Sequence, residues 1–337
     1  MFQVIWFVLW GVLWAVYFML DGFDLGAGSL LYILGKDEKD RRAIYQATGP
    51  FWDGNEVWLI TAGGATFAAF PKAYAVMFSA LYSALLLLLF SLIIRGVAIE
   101  YRNKHESESW RKKWDFLFFL GSLLPALLLG VAFANIFKGV AIDQNGIFRE
   151  TLFHLLNPFG LLGGLLFVFC FATHGAIWVA FKSMDPLSER AGNLAKKLWV
   201  VTLILVVLFW AYSFVATKIW ENYLKAPILF VFPALAVVAY LSVPAFLNKK
   251  AYFKAWIGSA LTIVAFTAWG LAGLFPNILP SSIDPAYSLT IMNSSSSELT
   301  LKIMTIVAVI FVPIVLAYTI WAYKTFSYKI TEKDIAY

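Results

Sequence analysis

The chain is poor in cysteine and histidine. Its 337 residues include one cysteine, Cys170, and three histidines. A single cysteine excludes an internal disulfide, a cysteine-rich zinc site and an iron–sulfur cluster held by four cysteines. Only His174 lies well inside an apolar run, and no two histidines have the spacing of a metal site.

Charged residues are also scarce. They make up 14% of the chain, whereas soluble domains average about 25%. Hydrophobic residues make up 61%, and the mean hydropathy is +0.77. These values predict an integral membrane protein. Most of the positive charge, formally +6 overall, falls in the connecting loops, which indicates membrane topology and not nucleic-acid binding.

Long apolar runs predict an all-α protein of about nine transmembrane helices in a single polytopic membrane domain, residues 1–337. The first run lacks a basic segment and a cleavage site, so we expect it to be retained as a helix. The predicted spans are 2–34, 50–70, 73–99, 114–137, 158–181, 195–217, 226–247, 253–275 and 299–323.

Lysine and arginine are concentrated in the loops that follow the first, third, fifth, seventh and ninth spans. The positive-inside rule therefore places these loops and the C-terminus in the cytoplasm, with the N-terminus outside. The segment 276–298 has no basic residue and is predicted to be an outer loop. Gly22 and Gly26, four residues apart in the first span, permit close approach of another helix.

Two predicted helices carry pairs of carboxylates at i and i+3, which place both members on one helix face. These pairs are Asp21 with Asp24 and Asp53 with Glu56. A charged residue at the centre of a bilayer helix costs about 2.5–3.5 kcal/mol on insertion scales. Such pairs therefore indicate a protein interior or a wet path.

Counting residues from the basic loops places the acids of both helices, with a nearby arginine, in the cytoplasmic half of the membrane. Carboxylates in such a group exchange protons, which favours a proton path. Helix capping, buried ion pairs with Arg95 as the partner, and a water-facing Glu100 stay open as alternatives. The candidate path residues are Asp21, Asp24, Asp53, Glu56, Arg95 and Glu100.

Three aromatic side chains each have a structural and a functional interpretation. Trp52 and Trp58 flank the second acidic pair, where they pack or anchor the helix at the interface, or else stack against a bound quinone or a partner's ring. His174 is a weak candidate for a haem ligand and otherwise a hydrogen-bonded structural residue. No residue is predicted with confidence to bind a cofactor or a metal.

Two motifs resemble subunit II of the bacterial cytochrome bd quinol oxidases. They are Asp21-Gly-Phe-Asp-Leu-Gly-Ala-Gly28 and Trp52-Asp-Gly-Asn-Glu-Val-Trp-Leu-Ile-Thr-Ala-Gly-Gly-Ala-x-Phe-Ala-Ala-x-Pro71. The similarity continues through 110–115, 130–133, 156–162, 280–282 and 297–301, and ends with 330–335. It therefore covers almost the whole chain.

The resemblance implies a multi-pass subunit in the bacterial cytoplasmic membrane, belonging to an oxidase that uses quinol and O2. It places two b-type haems and one d-type haem in a partner, subunit I, and makes this chain a haem-free companion. A small single-helix accessory subunit is a further expected partner. The proton-path acids of the family correspond to Asp24 and Asp53, and Glu100 stands where the family commonly has Asp.

Two other functions remain open at this stage. Embedded acids and glycine-interrupted helices also suit a proton-coupled transporter, although the sequence shows no inverted repeat. A purely structural subunit would use the acids only in ion pairs. The haem spectrum of the native complex distinguishes an oxidase from a transporter.

We predict that this chain expressed alone binds no haem, because it lacks a pair of axial ligands on facing helices. Reduced-minus-oxidised spectra of the purified chain check this. A stoichiometric haem band that disappears in the variant His174→Ala would contradict the prediction.

Overall fold

The computed structural model describes residues 1–331 and 333–334, most of which are helical. Thirteen α-helices lie in this part of the chain. They are α1 (Phe2–Ser29), α2 (Leu31–Leu34), α3 (Glu38–Thr48), α4 (Trp52–Ala69), α5 (Pro71–Ala80), α6 (Tyr82–Tyr101), α7 (Glu108–Lys138), α8 (Pro158–Lys182), α9 (Leu187–Ala216), α10 (Ile219–Lys225), α11 (Val231–Asn248), α12 (Tyr252–Leu274) and α13 (Glu298–Thr325).

The remaining regular structure is short. Single 3₁₀ turns occupy Arg102–Lys104, Leu152–Leu156, Pro227–Phe230 and Pro285–Tyr287. Strands β1 (Asn277–Leu279) and β2 (Leu289–Thr290) pair antiparallel within the predicted outer loop 276–298.

Eight helices in the described part of the chain are long and apolar enough to cross a membrane, namely α1, α6, α7, α8, α9, α11, α12 and α13. This confirms the all-α membrane fold.

Helix α4 is less apolar because it carries Asp53, Asn55 and Glu56, yet its ends lie at opposite ends of the bundle. The ring of Phe51 lies 4.6 Å from that of Tyr323, near the end of α13. The carbonyl of Ala69 accepts a 2.8 Å hydrogen bond from the backbone N–H of Ser296, just before α13. Helix α4 thus runs the length of α13 and is a ninth crossing element.

The basic loops meet at one end of the bundle, which we call the basic end. Side chains after α6 and at the start of α9 both pair with α3: Arg102 with Glu38 at 2.9 Å, and Arg190 with Asp40. The segment after α13 joins them, because Lys182 donates to the carbonyl of Tyr328 at 2.6 Å. The positive-inside rule makes this end cytoplasmic.

The opposite end is closed by the loop 276–298. The backbone N–H of Val140, just after α7, donates to the carbonyl of Pro280 at 3.0 Å. The hydroxyl of Ser281 donates to the carbonyl of Ile142 at 2.7 Å. This loop therefore ties the ends of α4, α7 and α12 together.

Two predicted spans are interrupted. The run 2–34 ends as α1 at Ser29 and continues as α2 after Leu30. The run 73–99, predicted as one helix, is divided at Leu81 into α5 and α6. As a straight helix that run would measure about 40 Å, more than the ~30 Å of a hydrocarbon core.

Helix α13 lies at the periphery of the bundle. Leu301 is its only buried residue within the described part of the chain. At one end the indole N–H of Trp6 donates to the carbonyl of Leu301 at 3.1 Å. At the other end the hydroxyl of Tyr323 donates to Asn55 at 2.9 Å. The ring of Tyr323 also packs against those of Phe23, Phe51 and Trp178, so α13 is held mainly near its two ends.

The closest helix packing joins α1 to α8 through glycine. A Cβ atom on Gly26 would lie 1.7 Å from the carbonyl oxygen of Phe171, and one on Gly175 would lie 2.3 Å from the backbone nitrogen of Ala27. The two backbones therefore touch where only hydrogen fits. This confirms the close approach predicted from Gly22 and Gly26.

We predict that Gly26→Ala lowers the thermal stability and the yield of the assembled protein, because α1 and α8 must separate to admit the methyl group. Gly64→Ala is the matched control, since a Cβ at Gly64 meets nothing within 4 Å. Size-exclusion chromatography of heated, detergent-solubilised samples measures both. Equal melting temperatures for the two variants would contradict the packing argument.

Candidate functional site

A buried arginine joins acids from two other helices. The Nη2 atom of Arg95, on α6, donates to Asp21 Oδ1 on α1 and to Glu56 Oε1 on α4, both at 2.6 Å. Arg95 and Asp21 are fully buried, and the side chain of Glu56 is 19% exposed. Since an unpaired charge inside a membrane is costly, this pairing fixes the positions of α1, α4 and α6.

The second acid of α1 belongs to a hydrogen-bonded chain. The amide of Asn55 donates to Asp24 Oδ2 at 2.7 Å, and its oxygen accepts from the hydroxyl of Tyr323 at 2.9 Å. Asp24 is 1% exposed, and its Oδ1 accepts no hydrogen bond from the described residues. We call Asp21, Asp24, Asn55, Glu56, Arg95 and Tyr323 together the intramembrane acid cluster.

Local sequence accounts for this arrangement. Asp21 and Asp24 share a face of α1 at i and i+3. Small residues let α6 approach its neighbours, because a Cβ on Gly121 of α7 would lie 2.9 Å from the backbone nitrogen of Arg95. One cation cannot neutralise three carboxylates, so the cluster is able to hold exchangeable protons within the membrane.

Asp53 and Glu100 do not join the acid cluster, although we expected all six residues to gather. Both side chains are exposed on the outside of this chain. Helical rotation explains the difference, since at 100° per residue Asp53 lies 200° from the buried Asn55, and Glu100 lies 140° from Arg95. Asp53 therefore does not face α1, and Asn55 takes that position.

The two tryptophans of α4 are packed against other helices. Trp58 is 6% exposed and belongs to the apolar core. Trp52 lies over Gly96 of α6, where a Cβ would be 2.9 Å from its ring. These contacts match the packing interpretation of both residues.

His174 has partners at both ring nitrogens. Nδ1 lies 3.0 Å from Ser259 Oγ, and Nε2 lies 3.0 Å from the carbonyl oxygen of Met19. An axial haem ligand needs one free nitrogen, so this geometry corrects the haem-ligand interpretation in favour of a structural histidine. Within residues 1–331 and 333–334, no three His, Cys, Asp or Glu side chains are grouped to hold a metal.

A second ionic group, at the basic end, was not predicted as a site. Asp115 is fully buried and accepts from Arg102 Nε at 2.5 Å and from Arg41 Nη1 at 3.0 Å. Burial alone would raise the pKa of Glu38, but hydrogen bonds from Arg102 and Arg42 outweigh it and lower that pKa to about 2. Glu38 therefore stays charged at neutral pH and helps to join α3, α6 and α7.

Sequence reasoning missed Asn55 and Tyr323 as members of the acid cluster. Asn55 offered a weak signal, because it is a polar residue three positions before the buried Trp58 on an apolar helix. Tyr323 offered none, since its contact with Asn55 joins residues 268 positions apart.

Comparisons with known proteins agree with this architecture. The family described as cytochrome bd terminal oxidase subunit II matches residues 2–326. The chain is 42% identical to the probable cytochrome oxidase subunit 2 of Haemophilus influenzae, over 96% of this chain and 93% of that protein. It is 37% identical to the cytochrome bd-I ubiquinol oxidase subunit 2 of Escherichia coli K12, over 99% and 96%.

A more distant relative and a solved structure extend the comparison. The cytochrome bd ubiquinol oxidase subunit 2 of Bacillus subtilis is 35% identical over 98% of this chain and 97% of that protein. A chain of the bd oxidase from Geobacillus thermodenitrificans has the same fold, with a TM-score of 0.78 at 18% identity, over 96% of this chain and 98% of that chain. On its sequence and its fold, the chain belongs to the family of cytochrome bd oxidase subunit II.

Proposed function

We propose that the chain carries protons from the cytoplasm toward the site of O2 reduction in its partner subunit. As a member of the subunit II family, it is one subunit of a bd-type terminal quinol oxidase in the bacterial cytoplasmic membrane. Reducing O2 to water consumes protons. Taking them from inside, while quinol releases its protons outside, generates a proton motive force.

We further propose that this chain supplies no haem site. Both nitrogens of the buried His174 are engaged, so the residues present do not fit an axial ligand pair. We therefore assign the two b-type haems, the d-type haem and the quinol site to subunit I. This chain's own part is to support that subunit and to handle protons.

The observation that carries the proposal is the chain of groups from Tyr323 through Asn55 to Asp24. Asp24 is a buried carboxylate with one oxygen that has no partner among the described residues. It faces no cation at hydrogen-bond distance there, whereas Asp21 and Glu56 are both held by Arg95. Asp24 is thus the acid best suited to gain and lose a proton, and Arg95 holds Asp21 and Glu56 in place.

The exposed acids support an assignment of the face that the partner subunit contacts. Asp53 on α4 and Glu100 on α6 lie on the surface of this chain, where contact with lipid would be costly. The adjacent helix α13 is almost entirely exposed along its length. We assign this face, made of α4, α6 and α13, to subunit I. Asp53 and Glu100 then become interface carboxylates through which protons pass between subunits.

We predict that Asp24→Asn slows O2 consumption by the complex about tenfold or more, because the amide keeps its size but carries no net proton. A tenfold effect corresponds to about 1.4 kcal/mol of barrier. Asp53→Asn should act in the same direction if protons cross the interface there. Oxygen-electrode assays at matched haem content measure both variants.

Glu108→Gln is the control for these variants, since Glu108 is exposed and pairs only with Lys112 among the described residues. It should leave the rate unchanged. If Asp24→Asn assembles with normal haem content and turns over at the wild-type rate from about pH 6 to 8, Asp24 is purely structural and the proposed path is wrong.

We also predict that Arg95→Gln destabilises the complex by about 3–5 kcal/mol, because it leaves Asp21 and Glu56 buried without their cation. The triple variant with Asp21→Asn and Glu56→Gln should recover most of this loss, since a neutral cluster needs no cation. Thermal unfolding of the solubilised complex measures both.

Arg149→Gln is the matched control for Arg95→Gln. Arg149 is exposed and pairs with Asp143 at the opposite end of the bundle, so its loss should cost at most about 1 kcal/mol. Equal melting temperatures for Arg95→Gln and the control would show that the buried ion pairs do not stabilise the fold.

A further inference from the structure

A groove of about 500 Å³ lies at the basic end, between α9 and the segment that follows α1. One wall carries Ile33 and Lys36, and the other carries Asn193, Leu194 and Lys197. None of its lining residues belongs to the acid cluster or to the helices assigned to the partner face. The groove is therefore a separate feature of the surface, with a function of its own to be identified.

The walls of this groove are fixed by an arginine. Arg190 Nε donates to the carbonyl of Leu34 at 3.1 Å, and its Nη2 donates to the carboxylate of Asp40. These bonds join the start of α9 to the chain on either side of Lys36. The two walls are thus held together without using the ammonium groups of Lys36 and Lys197.

The ammonium groups of Lys36 and Lys197 are the charged groups of the groove that have no partner among the described residues. Glu189, its one acidic lining residue, is paired with Lys250 at 3.0 Å. Arg190 is neutralised by Asp40. Neither Lys36 nor Lys197 forms a side-chain hydrogen bond or an ion pair within residues 1–331 and 333–334. The groove therefore presents net positive charge to an anion.

An apolar stripe leads away from the groove along the same face of α9. Lys197 is followed at helical spacing by three exposed aliphatic residues, Val201, Ile204 and Leu208. Ile204 and Leu208 are 54% and 50% exposed. A cationic recess at the membrane surface, continuing into an apolar track, has the shape and chemistry of a phospholipid with its headgroup outward.

We propose that this groove binds the phosphate headgroup of an anionic phospholipid of the inner leaflet. Lys36 and Lys197 contact the phosphate from opposite walls, and Asn193 offers an amide to the headgroup. One acyl chain lies along Val201, Ile204 and Leu208. A free phosphate ion would use the same two lysines but would gain nothing from the apolar stripe.

The test uses the intact, delipidated oxidase complex titrated with phosphatidylglycerol and followed by native mass spectrometry. The double variant Lys36→Gln with Lys197→Gln should bind one lipid about 30-fold more weakly, since each lysine near an anionic surface contributes about 1 kcal/mol. Lys249→Gln with Lys254→Gln is the matched control, because these exposed lysines lie at the same end but outside the groove. Equal binding by the two double variants would overturn the proposal.

Three further arms identify what is bound. Lys36→Arg with Lys197→Arg should retain the lipid, and its loss there would show that charge is not the cause. Phosphatidylcholine should bind more weakly than phosphatidylglycerol, and equal binding would overturn the selectivity for anionic lipid. Excess inorganic phosphate should leave the lipid in place, whereas full displacement would make the site one for soluble phosphate.

Discussion

The fold depends on one buried cation. Arg95 pairs with acids of two other helices inside the membrane, where neither charge has water to stabilise it. Each helix is thereby fixed in rotation as well as in depth, because a turn of α1 or α4 about its axis would break a charged pair. Aliphatic packing by itself restricts rotation less, since one aliphatic face resembles another, although the glycine contact with α8 also restricts α1. The acid cluster therefore specifies how α1, α4 and α6 are arranged, in addition to any chemistry it performs.

Much of the fold could be predicted from the sequence because the bilayer imposes simple rules. Run length and the distribution of basic residues indicated nine crossing segments, and α4 was included despite its acids. The break at Leu81 was missed, since no glycine or proline marks that position in the apolar run. The close contact at Gly26 was anticipated because glycine spacing is visible in the sequence, whereas its partner Phe171 is not.

The site was only partly predictable. Spacing along one helix correctly grouped Asp21 with Asp24, but the direction that α4 presents to α1 depends on contacts made elsewhere. Asn55 and not Asp53 faces inward, a difference of two residues that no depth argument detects. The acids consequently form two groups, one interior and one on the surface. Both groups have a role in the proposed proton route. The interior carboxylate binds a proton, and the surface carboxylate transfers it to the partner subunit.

The peripheral position of α13 has a consequence for how the protein is made. This helix is synthesised after α1, α4 and α6, and its end supplies Tyr323, which orients Asn55 beside Asp24. Lys182 then holds the segment that follows by binding the carbonyls of Phe326 and Tyr328. Until synthesis reaches that point, the oxygen of Asn55 lacks its donor and Asp24 lacks a fixed neighbour. A chain truncated before Tyr323 would thus lack the donor to Asn55 and leave the acid cluster unfinished, so the complete cluster indicates that synthesis has passed Tyr323.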